Sequence, residues 1–331
     1  MTPVAGKPST LAVAAALGTV YVLWGSTYLA IAFMIETLPP LLAAGTRFLI
    51  AGLTLLAFVV ARARWRRRRG ITGESLTWPR AVEWRTAFIV GALLLLGGNG
   101  MVSIAEQTIP SGIAAVIIAT TPIWLSLFDA LLTRRMPSLL AIGGLVVGLV
   151  GVGILLLPSS GLDSFDPVGI GILVVAAVSW ASGSLYARRG PLPKNQLLGT
   201  GMEQFAGGLV LLAAGVAIGE VGGFDPGAVT TASLLGLAFL IVFGSLVAFT
   251  AYIWLLNHVP VTTVATYAYV NPVVAVALGV AFRGETLTLR SLLAAGLIIG
   301  AVVAMVSGRP RDVEAGPALE TATLEAEVEP R

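Results

Sequence analysis

Few side chains in this sequence could do chemistry, and their placement narrows what that chemistry is. The chain has no cysteine and a single histidine, His258. A thiolate metal site and a cysteine nucleophile are excluded, and a histidine triad or metal centre has too few members. No metal and no cofactor is expected. What remains are polar groups inside long apolar stretches, where each is costly and therefore informative. In 86-106, Asn99, Ser103 and Glu106 fall at i, i+4 and i+7, which puts amide, hydroxyl and carboxylate on one helical face. Gly97, Gly98 and Gly100 flank Asn99, so backbone groups there could unwind toward a ligand or let a neighbouring helix approach. In 263-282, Thr263, Tyr267 and Asn271 share a face at i, i+4 and i+8, and Pro272 frees a carbonyl one turn back. That carbonyl needs a partner, which a polar solute or water could supply.

Aromatic residues add a second kind of chemistry. Tyr21, Trp24 and Tyr28 share a face, Trp180 recurs later in the chain, and Ser245, Phe249 and Tyr252 form a further stripe. Such rings could stack on organic or cationic solutes, or simply pack. Three charges complete the set. Arg47 could hold a substrate carboxylate or pair with Glu106, and Glu203 could hold an amine or carry a coupling proton. Each could instead be a structural ion pair.

The elements that must position these residues are membrane helices. The chain has 331 residues, 56% hydrophobic and 11% charged, against about 25% charged for a water-soluble domain. A helix needs about 20 apolar residues to cross the hydrocarbon, and such windows recur. Hydropathy and turn chemistry predict an all-α polytopic membrane protein with ten spans: 11-35, 41-61, 86-106, 111-132, 139-157, 168-187, 197-219, 231-256, 263-282 and 290-307. The segment 1-10 is a polar lead into a retained first helix, and the acidic segment 308-331 reads as a disordered tail. With both termini in the cytoplasm, 17 of the 20 Lys and Arg fall inside, and only Arg283 and Arg290 outside. The run from Arg62 to Arg69 then anchors the topology against anionic lipid, and no nucleic-acid partner is expected.

The halves repeat. Pro110 and Pro260 open corresponding spans, and Pro122 and Pro272 lie within them, as bend points of paired gating helices. Trp24 corresponds to Trp180, Gly52 to Gly208 and Arg47 to Glu203, while Gly144-x-x-x-Gly148 corresponds to Gly296-x-x-x-Gly300. These glycine pairs would let helices pack closely, within one molecule or between two in a homodimer. Repeats of five spans, 11-157 and 168-307, have odd parity, so the second must be inverted. Inverted halves allow one fold two nearly equivalent states, open to either side of a midplane site.

Several stretches carry a resemblance to a known family. Trp24-Gly25-Ser26-Thr27, Pro39-Pro40, Arg47-Phe48, Ala51-Gly52-Leu53 and Gly97-Gly98-Asn99-Gly100 are similar to the EamA family of the drug/metabolite transporter superfamily. So are Ala105-Glu106, Ile109 to Ala115, Ser179-Trp180-Ala181, Tyr267 to Ala275 and Gly284-Glu285-Thr286-Leu287. The resemblance covers roughly 10-307 and is nearest the YedA-like exporters. It implies ten helices in two inverted EamA repeats and export of small metabolites, amino acids or drugs. The fourth span departs from it, ending Leu132-Thr133-Arg134-Arg135-Met136 without a Gly-Glu pair.

The resulting expectation is a secondary exporter in the cytoplasmic membrane, with membrane lipid around it and a small-molecule substrate inside. Its cavity would be lined by spans 1, 3, 6, 8 and 9. An integral-membrane enzyme is the alternative, and it would need a convergent acid/base or metal set that these dispersed residues do not form.

Overall fold

A computed structural model describes residues 8–71, 76–109, 114, 117–134, 136, 138–156, 166–283 and 289–307. The Gly284-to-Leu287 motif, Pro110 and the acidic tail lie outside them. The regular elements among the described residues are all helices, as a chain crossing lipid requires when every backbone N–H and C=O needs an internal partner. Helix α1 spans Thr10–Ile35, α2 Pro40–Arg68, α3 Ala81–Ala105, α4 Thr121–Thr133 and α5 Leu139–Leu156. Then come α6 Pro167–Arg189, α7 Gln196–Ala217, α8 Thr231–His258, α9 Tyr267–Arg283 and α10 Leu289–Ser307. Six of these, α1, α2, α3, α6, α7 and α8, are long and apolar enough to cross a membrane. Shorter apolar helices cover Thr121–Thr133, Leu139–Ile154 and Leu292–Met305. Leu235, Leu292, Leu293, Val146 and Val303 are exposed on the outside of the bundle, the surface a bilayer would cover.

Side-chain caps start the helices. Ser9 accepts from Ala12 N–H, Asp166 from Val168 and Gly169 N–H, Asn195 from Leu198 N–H, and Thr230 from Ser233 N–H. Helix α2 opens on Pro40 and has no cap of its own. Glu220 supplies one from beyond the end of α7, accepting from Leu41 N–H at 3.0 Å and Leu42 N–H at 2.8 Å. Glu220→Ala should therefore lower stability by about 1 kcal/mol, the usual effect of losing an N-cap. Thermal unfolding in detergent would read this, and an unchanged midpoint would show that the cap adds nothing.

Two helix pairs are in intimate contact. In α2 and α7, an ideal Cβ at Gly52 would lie 2.8 Å from Phe205 Cα and 2.9 Å from the Gly201 carbonyl oxygen. A Cβ at Gly208 would lie 2.9 Å from Leu49 Cα and 3.0 Å from the Gly45 carbonyl oxygen. Gly45 faces Leu212, and Gly201 faces Leu55 and Leu56. Gly52 and Gly208 thus meet equivalent backbone positions on each other's helix, 205 and 201 against 49 and 45. In α5 and α10, Gly144 meets the Ala301 carbonyl oxygen and Met305, and Gly151 meets Ile298. Gly148 meets the Tyr269 ring, whose hydroxyl donates to the Leu145 carbonyl at 3.2 Å. Gly296 and Gly300 have no atom within 4 Å of a Cβ and point out of the bundle. They do not mirror Gly144 and Gly148, because α10 presents a different face to α5.

Pro122 lies in the first turn of α4, where a missing N–H costs nothing, and residues 117 and 118 ahead of it are also helical. The chain turns just before it at Ala119 and Thr120. Pro272 does lie inside α9, but the break is earlier, at Thr266, between the short helix Val261–Ala265 and α9.

Candidate functional site

Helices α3 and α8 each contain a widened π-helical segment, Ala92–Gly100 and Leu240–Ala248. Such segments break the regular hydrogen-bond ladder and recur at functional sites. Against each lies a tryptophan. The Trp24 indole N–H donates to the Gly244 carbonyl at 3.2 Å, and Trp180 rests on Gly98, where any Cβ would come within 2.5 Å of its ring. The two indoles meet edge to face at 5.4 Å. Tyr267 lies 4.9 Å from Trp24, and Tyr252 lies 4.8 Å from Trp24 and 5.6 Å from Trp180. This four-ring cluster joins the middle of α1 and α6 to the last two turns of α8 and the first residue of α9.

A cavity of about 70 Å³ opens beside the cluster. Helix α1 contributes Trp24, Thr27, Tyr28 and Ile31 to its wall, α2 Arg47, and α3 Gly98, Asn99 and Val102. Ile118 and Thr121 lie at the start of α4, Ala176 and Trp180 on α6, and Tyr267 and Asn271 on α9. The volume holds roughly five waters at about 15 Å³ each, so an organic solute enters only if the helices part.

The polar chemistry of this wall is concentrated on α2, α3 and α9. Arg47 is 3% exposed, and its guanidinium donates to Ser245 Oγ at 2.7 Å and Asn99 Oδ1 at 3.3 Å while lying 4.4 Å from the Phe48 ring. Both hydrogen-bond partners are neutral. The expected pairing with Glu106 does not form, because Asn99 and Ser245 occupy the guanidinium, and the Glu106 oxygens have no hydrogen-bond partner among the described residues. Asn271 is 2% exposed, and its Oδ1 has no partner among the described residues. A solute with an anionic group for Arg47 and a donor for Asn271 would complete both.

Of the residues singled out from sequence, Trp24, Tyr28, Asn99, Trp180, Tyr267, Asn271 and Arg47 are brought to one cavity. Ser103, Tyr252 and Thr263 are buried but are not on its wall. Ser103 instead bonds the Asn99 carbonyl of its own helix at 3.0 Å. Tyr252 stands behind the wall, accepting from the Trp180 indole N–H at 3.0 Å and sharing a 2.5 Å hydrogen bond with Ser184. Glu203 is wholly buried away from the cavity. The expected wall of spans 1, 3, 6, 8 and 9 is corrected accordingly: α2 and the start of α4 take part, and α8 acts from behind. Thr27 and Thr121 escaped the sequence reading because their hydroxyls bond the Trp24 and Ile118 carbonyls and carry no motif. Thr27 alone had a signal, lying one turn from Trp24.

At one end of the bundle, beside the cavity, the contacts are dense. Leu125, Leu185, Ile253, Leu255 and Val264 pack together there. Tyr21 and Thr266 share a hydroxyl bond at 2.5 Å, and Asp129 on α4 pairs with Arg189 on α6 at 2.9 Å. This pair ties the end of α4 to the end of α6.

Comparison with known proteins fits this geometry. Residues 10–157 and 167–307 match the EamA-like transporter family. The chain is 39% identical over 317 residues to the inner membrane transporter YedA of Escherichia coli (strain K12), covering 94% of this chain and 96% of that one. It is 26% identical to the transporter YvbV of Bacillus subtilis (strain 168), over 89% of this chain and 91% of that one. It is 28% identical to protein PecM of Dickeya dadantii (strain 3937), over 85% and 87%. A crystal structure 21% identical in sequence shares the fold, with a TM-score of 0.68 over 89% of this chain and 96% of that chain.

Proposed function

Because the chain belongs to the EamA-like transporter family, and so is a membrane transporter rather than an enzyme, we propose that it is a secondary exporter working by alternating access. Its cargo is a small organic metabolite, an amino acid or related compound, or a drug. It has ten transmembrane helices in two inverted five-helix repeats, 11-157 and 168-307, and both termini lie in the cytoplasm. The reciprocal contacts of Gly52 with Phe205 and of Gly208 with Leu49 support the inversion, as do the paired π-helical segments. A two-fold relation between antiparallel α2 and α7 accounts for both. With this topology the cavity lies toward the outer half, and the Asp129–Arg189 pair and the packing around Leu125 close the cytoplasmic side.

The observation that carries the reading is a mid-bundle cavity whose wall is drawn from both halves and whose guanidinium, on Arg47, has only neutral partners. Such a site recognises an organic solute bearing a carboxylate, with Trp24, Trp180 and Tyr267 against its carbon skeleton. A homodimer through the outward-facing Gly296 and Gly300 is part of the proposal, and an unchanged oligomer size in Gly300→Leu would remove it.

The test is an untargeted comparison of metabolites released by cells that express the wild type or the Trp24→Ala/Asn271→Ala double variant at equal membrane levels. At least one organic acid or amino acid should accumulate outside wild-type cells and fall to background with the variant. Identical release profiles would defeat the assignment of this cavity.

A further inference from the structure

Glu203 has no exposed surface, and neither carboxylate oxygen has a hydrogen-bond partner among the described residues. The ion pairs found there, Arg80–Glu83 and Arg189–Asp129, do not include it. Helices α2, α3 and α8 pack against this part of α7. On α2, the register set by Gly52 on Phe205 places Arg47 roughly 10 Å along the pair at 1.5 Å per residue, and its guanidinium is already held by Ser245 and Asn99. On α3, Gly91 lies against the Glu203 backbone carbonyl, while Glu83 and Arg85 are about two turns away. On α8, Tyr252 is within electrostatic reach, and His258 is exposed at the helix end. On α7 itself, Gln204 donates to the Ser245 carbonyl at 3.1 Å, and the Thr200 hydroxyl has no partner among the described residues.

An ionised carboxylate in these surroundings would be opposed by several kcal/mol. A metal ion or an organic amine would need room around the carboxyl group, yet Glu203 is fully enclosed and off the cavity wall. A proton needs none. We propose that Glu203 carries a proton in this conformation and that this is the coupling proton of the transporter, exchanged for solute. The inference rests on the exporter reading above.

The route between the two sites is short. Trp180 is cavity wall, its indole N–H bonds the Tyr252 hydroxyl, and Tyr252 lies on α8, which packs against the helix that carries Glu203. A solute that displaces Trp180 therefore shifts the surroundings of the acid. Opening α7 to water lets the proton pass from the carboxyl oxygen to a water molecule and leaves a solvated carboxylate. Solute and proton then favour opposite arrangements, which is the condition for exchange.

The experiment uses the full chain in phospholipid vesicles. Infrared spectra at neutral pH, recorded in a Glu106→Gln background so that this second unpartnered carboxyl does not contribute, should contain a protonated-carboxyl C=O band that Glu203→Gln removes and Glu203→Asp retains at a shifted position, which separates loss of the acid from misfolding. Band content identical in the wild type and Glu203→Gln would overturn the proposal. Vesicles loaded with a mixture of the proteinogenic amino acids are then given an imposed proton gradient. Gradient-driven flux should fall at least tenfold in Glu203→Gln, and flux that responds equally in both proteins would also overturn it. If neither protein moves any amino acid, the amino-acid reading of the cargo fails, while the infrared band still decides whether Glu203 holds a proton.

Discussion

Replacing Gly52 by leucine is expected to abolish accumulation of folded protein in the membrane, at least tenfold by fluorescence-detected size exclusion. Even the first added carbon would overlap the Phe205 backbone and the Gly201 carbonyl oxygen, and neither can rotate away as a side chain could. Overpacking commonly costs about 1–3 kcal/mol and more where backbone must move. Here the whole α2–α7 pair would have to separate. Gly208→Leu should fail in the same way, against the Leu49 backbone and the Gly45 carbonyl oxygen. Gly52→Ala should give an intermediate loss. Gly171→Leu is the control: a Cβ there meets nothing within 4 Å, so the protein should fold at wild-type yield. Normal yield from Gly52→Leu would mean that α2 and α7 do not pair in this register.

Arg47→Gln is expected to separate transport from stability. The guanidinium is buried with Ser245 and Asn99 as partners and no carboxylate among the described residues, so a ligand anion would compensate its charge. Removing such a charge is often neutral or stabilising for the fold. A charge-assisted hydrogen bond to a solute carboxylate is worth about 1.5–3 kcal/mol, so export should fall roughly 10- to 150-fold. Thermal unfolding should be unchanged or shifted upward in the same protein. Arg47→Lys should recover only part of the activity, since an ammonium cannot span Ser245 and Asn99 while also presenting a planar fork to a carboxylate. Export by Arg47→Gln at the wild-type rate would show that the guanidinium does not anchor the solute.

The sequence by itself determined that the chain is a bundle of apolar helices and that it transports. Lipid offers the backbone no partners, so apolar runs of this length must be helical, and the residue pattern from Trp24 through Asn271 is that of its family. Periodicity also named Trp24, Tyr28, Asn99, Tyr267 and Asn271, because residues at i, i+3 and i+4 share a face whichever way that face points, and the repeat added Trp180 opposite Trp24. Which way each face points was decided by tertiary structure alone. Thr263 and Ser103 share those faces yet lie off the cavity wall, Ser103 bonded to its own helix. Gly300 repeats the spacing of Gly148 but faces outward, since helix spacing says nothing of which partner a glycine meets. Arg47 bonds Ser245 from 198 positions away, and no local pattern encodes that distance. Glu203 was visible as a charge in an apolar helix, but only the packing of α2, α3 and α8 around it shows that it has no partner among the described residues, because burial belongs to the assembled bundle and to no single segment.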